Sequence, residues 1–112
     1  MAHQLWEILV PQFSNNGSEI LLAHHHEWDA HVRAVARGLT IFRTATGEWV
    51  SPEGTRFREK MIPVRVACSE EAIRRIIDFT IQHYDQEAVM AYRLSEQVLI
   101  VYRDPEASLK AP

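Results

Sequence analysis

A single cysteine, Cys68, is present in 112 residues, so no disulfide can form within the chain and none can carry its stability. That usage fits a reducing compartment, and a cytoplasmic location is expected. No run approaches the ~18 apolar residues needed to cross a bilayer, and no basic stretch followed by an apolar core opens the chain, so neither a membrane span nor a secretory leader is expected. Positive charge is not in excess. The net charge is -3, whereas a nucleic-acid binder gains most of its affinity from cations that neutralise phosphates; no nucleic-acid partner is expected. Glycine is scarce, and Gly17, Gly38, Gly47 and Gly54 stand far apart. That spacing excludes a phosphate-cradling loop and a GxGxxG turn, and no cofactor is expected. No GxSxG elbow occurs either.

What is present suits one domain over residues 1–112, with 46% apolar residues to build a core. Residues 5–13 (LWEILVPQF) are apolar on both faces and read as an interior strand, which Pro11 bends or ends. Ser14-Asn15-Asn16-Gly17 is a turn by composition. Trp28, Val32, Val35 and Leu39 recur at helical spacing and predict a helix over 23–37, closed by Gly38 in a left-handed conformation. Residues 39–44 read as a strand, Thr46-Gly47 as a turn, 48–50 as a brief return, and Ser51-Pro52-Glu53-Gly54 as another turn. Residues 61–68 alternate, with Ile62, Val64 and Val66 on one face. Ser69 then caps a helix whose stripe is Ile73, Ile76, Ile77, Thr80, Ile81 and Tyr84. Asp85-Gln86 ends it. Strands follow over 88–94 and 98–102, and a loose tail begins at Asp104.

Two helices with one apolar stripe each must cover the same face of a sheet. The expected fold is α+β: a ferredoxin-like sandwich with an antiparallel sheet of four to five strands and two helices on one face. The strands are apolar on both sides, as Leu5 beside Trp6 and Leu99 beside Ile100 show. The second face therefore needs a cover, and a homo-oligomer, a dimer or a trimer, supplies one.

Candidate chemical groups are few. His24, Glu27 and His31 fall at i, i+3 and i+7 on one helix face and could share a metal ion; the simpler reading is a row of solvent-exposed histidines, and no metal ligand is assigned. Cys68 ends an apolar strand and reads as a buried structural thiol. Glu59, between two basic residues ahead of a strand, could act as a general base or orient a cation, or be one charge in a charged loop. Trp49, in a small loop between Gly47 and Pro52, could cover a ligand pocket or a subunit contact, or pack on its own domain.

The run VRVAC, the acid-started helix after it, and the segment DQEAVMAYR with Asp85-Gln86, Val89 and Tyr92 resemble the core of the phage-encoded enzymes that degrade S-adenosylmethionine, the SAM lyases. The first half resembles them in layout, with a strand, a His-containing helix and the Gly38-Leu39 step. The resemblance implies a ferredoxin-like trimer with pockets between subunits. It also implies cleavage of a sulfonium by intramolecular attack, giving methylthioadenosine and homoserine lactone. A glutamate ahead of the VRV strand assists, and Glu59 is the residue here that matches it, although it stands somewhat farther from VRV than the family's acid does. The chain also resembles small uncharacterised bacterial proteins with a WEILVP start. Three readings follow: an oligomer with a small-molecule ligand between subunits, SAM-lyase-like when catalytic; a regulatory or protein-interaction module that uses Trp49; and a metal-binding protein that uses the histidines.

Overall fold

The computed structural model describes residues 3–104. Most of the tail expected beyond Asp104 lies outside the described residues. The elements run β1 (Gln4–Pro11), α1 (Leu22–Ala36), β2 (Thr40–Ile41), β3 (Ala45–Val50), β4 (Arg56–Cys68), α2 (Glu70–His83) and β5 (Ala91–Ser95). They form one antiparallel sheet in the order β2-β4-β1-β5, with β3 pairing onto the outer half of β4. This is the ferredoxin-like arrangement expected from the apolar stripes.

The core lies between the sheet and the two helices. Ile8 and Val10 of β1 and Val64, Val66 and Cys68 of β4 point at the helices, and Trp28, Val32, Ile73 and Ile76 point back; all are buried. Burying such side chains contributes about 1.5–3 kcal/mol each. One polar pair interrupts the layer. Trp28 Nε1 donates to Thr80 Oγ1 at 2.8 Å, and that hydroxyl donates to the Ile76 carbonyl at 2.6 Å. Both helices are thus joined through a hydroxyl with no unmet bond, which removes the cost of burying it.

Helix α2 begins where its local chemistry says it should. Ser69 is extended and its side chain accepts from the Ala72 N–H at 3.1 Å, with Glu70 and Glu71 in the first turn. Helix α1 ends differently from expectation. Arg37, not Gly38, takes the left-handed conformation (φ 73°) and donates its N–H to the Arg33 carbonyl.

Three strand boundaries also differ. The 39–44 strand shrinks to Thr40–Ile41. Thr46-Gly47 is no turn: both lie inside β3, where Gly47 faces Glu59 across the ladder. A Cβ at Gly47 would stand 2.7 Å from Met61 Cε, the far end of a flexible side chain, and 4.0 Å from the Glu59 carbonyl oxygen, so only the methionine tip need move aside. Strand β4 starts at Arg56 rather than 61, because β3 pairs with that outer half. Beyond α2, only Ala91–Ser95 pairs in the expected 88–94 strand. Residues 98–102 join no strand among the described residues, and Leu99, Ile100, Val101 and Tyr102 are exposed. Their β-branched and aromatic composition predicted a strand, but they pair with none of the described strands.

Candidate functional site

Alternation along β1 and β4 divides the sheet into two faces. Ile8, Val10, Val64 and Val66 point at the helices; Leu5, Glu7, Leu9, Met61, Pro63, Arg65 and Ala67 point the other way. Among the described residues no helix covers this second face. One charged residue in it is nevertheless buried: Glu7, at 9% exposure.

Glu7 is held by residues brought in from two neighbouring strands. Arg65, its ladder partner on β4, donates from Nε to Glu7 Oε1 at 3.1 Å. Tyr92, its partner on β5, donates its hydroxyl to Glu7 Oε2. That hydrogen bond, with smaller contributions from burial and from the Glu7 charge, raises the Tyr92 pKa, and Arg65 opposes the rise. Tyr92 therefore stays a donor. Behind the pair, the Arg65 guanidinium sits 4.6 Å from the Phe42 ring centroid, a cation–π contact. The result is a carboxylate, a guanidinium and a phenol side by side on an uncovered sheet face. Half-buried Leu5 and Leu9 and the exposed rings of Phe42 and Tyr92 share its surroundings.

Glu59 and Trp49 lie elsewhere on the same face. Glu59 is an exposed β4 residue opposite Gly47, in the ladder rather than in a loop. It lines a depression of about 350 Å³ with Thr46, Arg58 and Lys60. Trp49 opposes Phe57, and the two rings stack with centroids 4.4 Å apart, both still substantially exposed. Glu59 and Arg65 stand six positions apart along β4, a span of about 20 Å at ~3.3 Å per residue. Glu59 and Trp49 thus share only the β3–β4 hairpin, whereas Glu7 is joined to Arg65 and Tyr92, and one chain does not bring the two groups together. Glu7 was hidden by its setting in LWEILVP, where it reads as one polar interruption. Only its pairing with residues 58 and 85 positions away exposes it.

Cys68 is buried, as its place on β4 suggested, and desolvation pushes its thiol up to about 11. No nucleophile results.

A second cluster joins the helices. His24 of α1 and His83 of α2 stack, with centroids 3.8 Å apart and planes 8° from parallel. Each closes on the other's backbone: His24 Nε2 donates to the His83 carbonyl at 2.7 Å, and His83 Nε2 to the His24 carbonyl at 2.8 Å. His25 Nδ1 lies 2.7 Å from the hydroxyl of buried Tyr84, and burial lowers the His25 pKa. The row of histidines is therefore not simply solvated. His31 turns to Phe79, with ring centroids 3.7 Å apart, and leaves the group with His24 and Glu27. His83 takes that place: ligand atoms of His24, Glu27 and His83 lie within 4.8 Å of one another.

No family model matches the chain, and no curated protein matches its sequence. Solved structures do match in fold. A phage SAM lyase in complex with S-methyl-5'-thioadenosine aligns with a TM-score of 0.65 at 10% identity, over 87% of this chain and 84% of that one. The divalent cation tolerance protein CutA1 from Thermus thermophilus aligns at 0.61 and 10% identity, over 96% and 91%. The periplasmic divalent cation tolerance protein CutA from Archaeoglobus fulgidus aligns at 0.59 and 13%, over 94% and 90%. At these identities the likeness is one of fold. It places the resemblance read from the sequence on a ferredoxin-like scaffold shared by SAM lyase and CutA.

Proposed function

We propose that this protein is a homo-oligomer, with the trimer as the expected form, that binds a small zwitterionic metabolite where the uncovered sheet face of one copy meets another. The observation that carries this reading is the buried Glu7 with Arg65 and Tyr92 on a face no described helix covers. An ion pair already satisfied within the chain suits a ligand carrying both charges. Such a ligand exchanges partners, placing its cation on Glu7 and its carboxylate on Arg65, and leaves neither charge bare. Phe42 and Tyr92 offer flat surfaces for a ring.

S-adenosylmethionine fits this description, and the likeness to a SAM lyase supports it as the ligand. In the lyase version, the substrate's own carboxylate attacks its γ-carbon while the bond from that carbon to sulfur breaks. The bonding pair goes to sulfur, giving neutral methylthioadenosine and homoserine lactone, so no external base is consumed. The protein's task is to hold the sulfonium against the carboxylate in a dry site. Glu59 serves there as the carboxylate beside the sulfonium and Trp49 as its wall. Because Glu59 and Glu7 stand about 20 Å apart along one sheet, they serve one pocket only when different copies supply them.

The test measures S-adenosylmethionine binding by calorimetry and product release by chromatography. Glu7→Gln is expected to weaken binding at least tenfold, and Glu59→Gln to abolish turnover while binding persists. Co-refolding the two variants is expected to restore activity, since about a quarter of interfaces then regain both carboxylates. Absence of both binding and turnover in the unaltered protein removes the S-adenosylmethionine reading.

The exposed Trp49–Phe57 stack favours one alternative, an interaction module whose hairpin grips a protein partner. A folded Trp49→Ala protein that still binds metabolite but loses a co-purifying partner supports that alternative.

A further inference from the structure

The seam between the helices carries chemistry that the sheet face does not use. We infer that His24, Glu27 and His83 form a site for a borderline divalent cation such as Zn²⁺ or Ni²⁺, which clamps α1 to α2.

The ligand set is assembled by the fold rather than by sequence proximity. His24 and Glu27 come from consecutive turns of α1, with His24 Nδ1 3.8 Å from Glu27 Oε2. His83 comes from the last turn of α2, 59 positions away. Two imidazoles and a carboxylate are the donors that borderline metals select, and hard Mg²⁺ and Ca²⁺ prefer all-oxygen shells. The hydrogen bonds of the seam fix which nitrogens are free. A carbonyl only accepts, so each Nε2 facing one must carry the proton, and Nδ1 of each ring keeps its lone pair. His24, which keeps its N–H bond to the His83 carbonyl and its other nitrogen bare, has the outer support that metal-binding histidines commonly have. His24 and Glu27 are also open to solvent, so an ion can arrive and water can complete its shell.

One feature of the metal-free seam has to change. An imidazole binds a metal in its own ring plane, and two rings 3.8 Å apart and nearly parallel cannot both aim at one ion. Binding turns one ring out of the stack. His83 is the ring that turns, giving up its bond to the His24 carbonyl, while His24 stays fixed by the His83 carbonyl and near Glu27. The coupled loss of a stack and a hydrogen bond makes the site weaker than one whose rings already aim at the ion.

The experiment uses the full chain without a histidine tag. Zn²⁺ and Ni²⁺ are titrated calorimetrically, and dialysed protein is assayed for bound metal. One ion per chain is expected. Glu27→Gln alters an exposed side chain and should fold normally; it is expected to weaken binding at least tenfold, as is His83→Gln. His26→Gln and His31→Gln are expected to leave binding unchanged, and Mg²⁺ to give no heat. Zn²⁺ should raise the melting temperature of the unaltered protein but not of Glu27→Gln. No binding at millimolar metal overturns the inference. So does affinity that survives Glu27→Gln, or that is lost on replacing His26 or His31, since each marks adventitious binding to other histidines.

Discussion

Cys68 shows how a residue's surroundings set its chemistry. Its side chain closes the core at the end of β4, and the only influence on its thiol is loss of water, which raises the pKa from 9.0 to about 11. In the unfolded chain the thiol ionises near 9. Between those values the unfolded state loses its proton and the folded state keeps it, so stability is full below pH 9 and falls as pH rises toward 11. Two pKa units correspond to about 3 kcal/mol. Denaturant unfolding at pH 8 and pH 11 should therefore show a steeper loss in the unaltered protein than in Cys68→Ala, whose stability is lower but lacks this contribution. Equal pH dependence of the two proteins would refute the assignment. Tyr92 illustrates the opposite setting: it is exposed, and its hydrogen bond to Glu7 is the largest cause of its raised pKa, ahead of burial and against Arg65.

At the scale of elements, α2 was legible because its information is local. Ser69, Glu70 and Glu71 mark its start, and Ile73, Ile76 and Thr80 keep one face inward. Replacing Ser69 with Ala removes the acceptor for the Ala72 N–H and should cost about 1 kcal/mol, read from the denaturation midpoint at unchanged slope. Ser69→Gly should cost only a few tenths, ~0.3 kcal/mol, because glycine leaves that N–H open to water. Of the β3–β4 hairpin only the turn at Ser51–Gly54 was legible; the pairing of its strands was not, because that information is non-local. Thr46-Gly47 has the composition of a turn, yet the two residues pair with Lys60 and Glu59 across the ladder. Arg58 is an exposed charge that also meets Glu48 at 3.2 Å on the partner strand, a pairing the local sequence does not show. The histidine face failed in the same way. Spacing along α1 selects His31 as third ligand, but packing gives His31 to Phe79 and brings His83 from the other helix. Periodicity reports which residues share a face; it cannot report what faces them.

The whole molecule is more extended than its length requires. A compact chain of this size has a radius of gyration of about 13 Å, whereas this one measures 17.3 Å with extents of 63 × 30 × 26 Å. The β3–β4 hairpin and the apolar residues 99–102 contribute surface with little packed against it. On the uncovered sheet face, half-buried Leu5, Leu9, Met61, Pro63 and Ala67 surround the buried Glu7. Contiguous apolar surface on this scale is what subunit contacts bury. Leu9 is the place to probe it, because it sits on this face opposite Pro63 and away from the helix-facing core. Leu9 is half-buried in a lone protomer, so a carboxylate there reaches water at modest cost, but in an assembly it is desolvated without a partner, at a cost of several kcal/mol per copy. Sedimentation at about 100 µM, ample for a micromolar assembly, should show the unaltered protein as an oligomer and Leu9→Glu as a folded monomer with the same far-ultraviolet dichroism. If the unaltered protein already sediments as a monomer, the sheet face closes no pocket. The two distant carboxylates, Glu7 and Glu59, then have no route to a common ligand.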